Sequence, residues 1–243
     1  MSPKSSSKSK SRGRKRSNSA SSNVGLWIIG ISVGLVVLVI GILAFTSNRT
    51  PSIAIAAPDL PAEWLDGKSM GNPDAAVVVQ AWEDFVCPSC REWTTNVKPK
   101  LVEDYVKPGL VRLEFHQFPL QMHAPGASMA ANASECAADQ GGFWPYHDRL
   151  FQVQVAGQSA YTLDRLVEYA DALGLNGDEL MQCMTAQTHA SDVLDSYNQA
   201  VSMGLGGTPS IIINGKLVQD AYDYRAMKAN IDALLEASQG SSD

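Results

Sequence analysis

Cys87 and Cys90 bracket Pro88 and Ser89 where an apolar run, 75–82, gives way to a helical pattern. Two thiols at that spacing and in that place form a redox device. At a helix N-terminus the first sulfur meets backbone N–H groups that lack helical partners. It also meets the positive end of the helix dipole, and both favour its thiolate. The second sulfur follows one turn later, close enough to close a disulfide. The chemistry such a pair supports is exchange of disulfides with other thiols.

Elements able to hold these thiols are legible on both sides. Gly71-Asn72-Pro73-Asp74 is a turn, followed by a predicted strand at 77–82 and a predicted helix at 88–106. Lys107-Pro108-Gly109 turns the chain again, and residues 110–118 alternate apolar and polar like a second strand. An Ala-rich stretch, 124–139, reads as helix, is broken by Gly141-Gly142, and resumes at 143–154. Leu163, Leu166, Val167, Ala170 and Leu173 share one helical face that Gly174 ends. Further helices are expected at 178–186 and 191–203. Gly206-Gly207-Thr208-Pro209 then leads into Ser210-Ile211-Ile212-Ile213, and Asn214-Gly215 is a strong hairpin turn before Lys216-Leu217-Val218. A closing amphipathic helix is expected at 222–237. Strand, crossover helix, strand, inserted helices, hairpin and helix is the order of an α/β thioredoxin fold with a helical insertion.

Composition divides the chain. Residues 1–23 hold seven Lys and Arg and no acid, while all 25 acidic residues lie beyond residue 45. Between these regions, 24–45 is 22 residues without a charge, with Ser32 its only polar side chain. At about 1.5 Å per residue that length crosses a hydrocarbon core of about 30 Å. The expected plan is a basic cytoplasmic tail (1–23), a transmembrane helix (24–45), a Pro-rich linker (46–62), the thioredoxin-like domain (63–238) and a frayed tail (239–243). The basic block before the span puts the N-terminus in the cytoplasm and the domain outside. A cleaved signal peptide is the competing reading, with Ala54-Ile55-Ala56 as its cleavage site, but an ordinary signal core is shorter than this span. The tail needs no nucleic-acid partner, since seven cations beside a span already set topology.

Longer motifs surround the thiols. Gly71 to Val79, then Glu83-Asp84-Phe85-Val86-Cys87-Pro88-Ser89-Cys90, resembles the entry to DsbA-like thioredoxin-fold proteins. So do Phe118-Pro119-Leu120, Glu135-Cys136-Ala137-Ala138, Gly142-Phe143-Trp144-Pro145-Tyr146-His147 and Gly206-Gly207-Thr208-Pro209-Ser210 with Asn214-Gly215. The resemblance covers about residues 63–238, and the membrane-anchored bacterial form is its nearest flavour. It implies a protein thiol–disulfide oxidoreductase without a bound cofactor or metal. Cys87 and Cys90 would act, Pro88 and Ser89 would help set their redox poise, and Thr208-Pro209 would form a cis-proline loop against the disulfide. It also implies reduced or unfolded client proteins and a quinone-linked membrane thiol oxidase, DsbB- or VKOR-like, for reoxidation. One position departs from the family. The buried acid six residues before the first cysteine is here Ala81. Glu83, two residues on along the same strand face, is the candidate substitute. In the other reading, Glu83 and Asp84 are both surface residues near the site.

Cys136 and Cys183 make the cysteine count even and are expected to form a structural disulfide outside the membrane. Two buried free thiols, or a zinc site drawing on all four cysteines, are the alternatives. His116, His123, His147 and His189 lack ligand spacing and read as core or capping residues. Trp82, Phe85 and Trp93 read as core or as the rim of the site. Three functions fit the pattern. The leading one is oxidation of client thiols. The second is reduction or isomerisation by a pair kept reduced by a membrane electron carrier. The third is a non-catalytic client-binding module.

Overall fold

The computed structural model of this chain describes residues 58–240. The expected basic tail, the expected span and most of the linker lie outside the described residues. Among the described residues no helix is long and apolar enough to cross a membrane.

Six strands form one sheet: β1 (Leu65–Asp66), β2 (Ser69–Met70), β3 (Val77–Glu83), β4 (Val111–Gln117), β5 (Ser210–Ile213) and β6 (Lys216–Leu217). Their order is β1-β2-β4-β3-β5-β6. β3 and β4 run parallel, from Val77 opposite Val111 to Glu83 opposite Gln117. β5 pairs antiparallel with the other edge of β3. Central strands covered on both faces need apolar residues almost throughout. The Val-rich run at Val77–Val79 and the triple Ile of β5 meet that need, and β5 is buried along its whole length.

The β3–β4 crossover carries the C-x-x-C pair. It comprises α1 (Pro88–Asn96), α2 (Lys98–Leu101) and a π-helical turn over Val102–Val106. The single helix expected at 88–106 is therefore interrupted at Val97, where φ is −110°. Pro99, two residues on, has no N–H to bond the carbonyl four residues back, and its ring crowds that carbonyl. After β4 come α3 (Gly126–Ala138), α4 (Phe143–Val153) and a 3₁₀ stretch over Gln154–Tyr161, kinked at Gly157 with φ 68°. Then follow α5 (Leu163–Ala172), α6 (Gly177–Ala186), α7 (Ala190–Ser202) and, after the β5–β6 hairpin, α8 (Tyr224–Gly240). α8 continues to Gly240, so residues 239 and 240 of the expected tail are helical.

The hairpin turn is built as its sequence demands. Asn214 and Gly215 both take positive φ, 44° and 80°, the backbone that the tight two-residue turn requires. The Asn214 side chain accepts from the Val78 N–H at 2.7 Å and donates to the Ala76 carbonyl at 3.1 Å, so the turn is also pinned to β3. The small β1–β2 hairpin was not expected. Its turn, Gly67-Lys68, places Gly67 at φ 52°, but two-residue strands are too short to show alternation.

Candidate active site

β3 ends at Glu83, and the next four residues turn the chain so that Cys87 caps α1 with extended backbone. Pro88 fills the first helical position, where its missing N–H is no loss. The turn is fixed from three directions. Asp84, buried, accepts from the Val86 N–H at 2.7 Å and the Leu120 N–H at 2.9 Å, and contacts His123 Nδ1 at 2.7 Å. The Gln154 amide donates to the carbonyls of Phe85 and Cys87, at 2.8 and 3.0 Å. The Tyr161 hydroxyl donates to the Phe85 carbonyl at 2.9 Å.

Across from this turn lies the loop before β5. Thr208-Pro209 is a cis peptide, and the Cys87 thiol donates to the Thr208 carbonyl at 3.3 Å. The structure thus brings Cys87, Pro88, Ser89, Cys90, Thr208 and Pro209 to one place. Glu83 joins them from below.

Both thiols are free in this structure, and their environments differ. The pKa of Cys87 falls from an ordinary 9.0 to about 5. The Cys90 thiol beside it is the largest cause. The Thr208 hydroxyl and the N–H groups of Cys90 and Ser89 add to it, against the opposing effect of burial. Among the described residues that buried hydroxyl has no hydrogen-bond partner, so it is free to turn towards the sulfur. Cys90 is fully buried, and burial, then Cys87, then Glu83 hold its pKa well above the ordinary value. The Asp84 N–H donates to the Cys90 sulfur at 3.4 Å. A thiolate at Cys87 beside a thiol at Cys90 is the arrangement a nucleophile and a proton-keeping partner need.

Glu83 is 1% exposed, so the reading of Glu83 and Asp84 as surface residues is wrong. The polar end of β3 turns inward because the α1 crossover and the Leu120 segment close over it. Burial raises the Glu83 pKa to about 8, although Lys98 and the Thr94 hydroxyl oppose this. Thr94 Oγ1 lies 3.4 Å from Glu83 Oε2, and Oε1 makes no hydrogen bond among the described residues. Lys98, itself buried, pairs with Asp148, and His147 Nδ1 lies 2.7 Å from the same carboxylate. Burial and then Lys98 push the His147 pKa down to about 4, so this imidazole is neutral in the core. Asp84, Lys98, Asp148, Gln154 and Tyr161 had not been read as parts of the site. Charge and amide character ordinarily mark a surface, and nothing in their local sequence distinguishes them from it.

Cys136 and Cys183 form a disulfide joining α3 to α6 across 47 residues of sequence. Asp139, Cys183 and His189 offer donor atoms within 4.8 Å of one another. The Cys183 sulfur is already bonded to Cys136, and His189 lies between Asp139 and Asp192 at 2.8 and 3.0 Å. The group therefore reads as an ion-paired brace at the start of α7.

Known proteins share this arrangement. The thioredoxin family model matches residues 65–233. Disulfide bond formation protein D of Bacillus subtilis is 28% identical over 171 residues, covering 69% of this chain and 76% of that protein. The oxidised crystal structure of BdbD from Bacillus subtilis superimposes with a TM-score of 0.65 at 28% identity, covering 71% of this chain and 95% of the other. Wolbachia pipientis α-DsbA1, at 20% identity and a TM-score of 0.64, shares the fold over 80% of this chain and all of its own. With the family model spanning the sheet, the C-x-x-C crossover and the cis-proline loop, the chain belongs to the thioredoxin family and is a DsbA-like thiol–disulfide oxidoreductase.

Proposed function

We propose that this protein oxidises the thiols of client proteins outside the cytoplasmic membrane. One observation carries the direction: the Cys87 thiolate is stabilised, with a pKa of about 5. A stabilised thiolate makes the reduced pair comfortable and the disulfide a strong oxidant.

The steps follow from the residues. With Cys87 and Cys90 joined, a client thiolate attacks the Cys87 sulfur. A Cys87–client bond forms, the Cys87–Cys90 bond breaks, and Cys90 leaves as a thiolate. Its high pKa means that it takes a proton at once. Glu83, protonated at neutral pH, is the buried group able to give one. The client's second thiolate then attacks the client sulfur and expels Cys87 as a stable thiolate. The client has lost two electrons and the pair has gained them. Backbone groups of Thr208 lie beside Cys87 and are placed to pair with an extended client strand.

The reduced pair must pass its two electrons onward, and a quinone-linked membrane oxidase, DsbB- or VKOR-like, is the partner class that fits. The basic block at 1–23 and the uncharged run at 24–45 support a single-pass anchor with the domain outside. Protease added to wall-stripped cells should digest the domain and spare the tail. A protected domain would overturn the anchor.

The test of direction is the reduction potential of Cys87–Cys90 together with its redox state in cells. The oxidase reading expects a potential nearer to about −120 mV than to about −270 mV, and a pair found mostly as the disulfide. A low potential with a reduced pair would make the protein a reductase or isomerase.

A further inference from the structure

Tyr222 stands outside every motif that marks the site, yet it touches the C-x-x-C loop. Its hydroxyl donates to the Ser89 carbonyl at 3.3 Å, from a position 133 residues further along the chain. The arm that carries it is well fixed. Ala221, the residue before it, is buried in the main core. Asp220 Oδ1 accepts from the N–H groups of Tyr222 and Asp223, at 3.0 and 3.3 Å. Asp223 Oδ1 in turn accepts from Arg225 and Ala226 at the start of α8, at 2.9 and 3.1 Å. The phenol is thus presented to Ser89 by a rigid connection and is still 41% exposed.

The acceptor is informative. The Ser89 carbonyl belongs to the same peptide group as the Cys90 N–H. That N–H bonds the Cys87 carbonyl at 3.1 Å, in the turn that carries the Cys87 sulfur, and it is among the groups that favour the Cys87 thiolate. Hydrogen bonds in series polarise one another, so a donor on the carbonyl of a peptide strengthens the N–H of that peptide as a donor. We propose that Tyr222 is a positioning residue for Cys87, acting through the Ser89–Cys90 peptide to hold the turn that carries the Cys87 sulfur and to strengthen the N–H donor of that turn. Because the device sits on the segment between β6 and α8, it ties the redox poise of the pair to the C-terminal end of the domain. The inference rests on the thiol-exchange reading above.

The direct test compares the full-length protein with Tyr222→Phe, which removes only the hydroxyl. The control is Tyr224→Phe, whose hydroxyl contacts Lys100 and Asp104 instead. The readouts are thiolate absorbance against pH and the equilibrium of Cys87–Cys90 with glutathione. Tyr222→Phe should raise the Cys87 pKa by on the order of 0.3 pH unit and make the disulfide about twofold less oxidising, with Tyr224→Phe unchanged. A merely structural role would leave the pKa where it was. If Tyr222→Phe matches the parent within about 0.1 unit while the parent titrates low, the tyrosine has no such role and exchange stands. A parent protein whose Cys87 titrates like free cysteine would overturn both.

Discussion

Cys90 and Cys136 are equally hidden, 0% and 2% exposed, yet one is a free thiol beside a reactive partner and the other is locked in a bridge. Burial therefore does not separate these two sulfurs. Their surroundings do. Cys87 sits at a helix start, where two N–H groups, a hydroxyl and a second thiol favour its anion, and where a carbonyl loop faces its sulfur. Cys136 lies on α3 and Cys183 on α6, tying together two helices of the insertion. One pair is built to break and re-form, and the other to hold.

The largest expected effect tests that division of labour at its root. Cys90→Ala should accumulate mixed disulfides with clients, because the resolving thiol is gone, while Cys87→Ala should trap almost none and lose exchange to background. Non-reducing gels of the two variants decide between them. Trapping by Cys87→Ala alone would reverse the assigned roles.

Next comes the holding pair. Replacing Cys136 and Cys183 together by Ala should lower stability by about 3–4 kcal/mol, as chain-entropy arguments give for a loop of that length. Denaturant unfolding measures the loss. The Cys87 titration should not move. Were it to move by a full unit, the two regions would be coupled and the contrast between them blurred.

A third effect concerns the acid beneath the reactive pair. Glu83 has a folded pKa of about 8 against an ordinary 4.5. A carboxyl whose pKa is raised by folding leaves stability intact below about pH 4.5 and drains it as pH rises towards 8. Glu83→Gln should therefore match the parent near pH 4 and exceed it by on the order of 3 kcal/mol at pH 7. Urea unfolding at the two pH values reads this out. A variant less stable than the parent at pH 7 would show that the carboxyl is ionised and paired. The same substitution should slow release of reduced Cys90, since the proton donor is lost. The smallest effect is at Gln154, whose amide holds the Phe85 and Cys87 carbonyls. Gln154→Ala should cost about 1 kcal/mol in the same assay.

Much of the reactive region was legible because its signals are local. A C-x-x-C pair after an apolar strand, a Thr-Pro before an Ile-rich strand and an Asn-Gly turn each announce their own backbone. The strands 77–82 and 110–118 were recognisable from their apolar runs and alternation. What could not be read was set by packing. Pro99 interrupts the crossover helix that periodicity carried to Val106. Glu83 and Asp84 look like surface residues until β3 is seen to end beneath α1. Lys98, Asp148 and His147 form a buried cluster from residues 49 and 50 positions apart, a separation with no sequence signature. Tyr222 reaches Ser89 across 133 residues, which only the folded chain brings together.

The claim underlying all of this is that the environment of Cys87, and not its burial, makes it the reactive sulfur. Thiolate absorbance against pH, measured on the reduced protein with the Cys136–Cys183 bridge intact, tests it most directly. A single transition near pH 5 should appear, with Cys90 silent up to well above pH 9. A transition near the value of free cysteine, about 8.5, would contradict it.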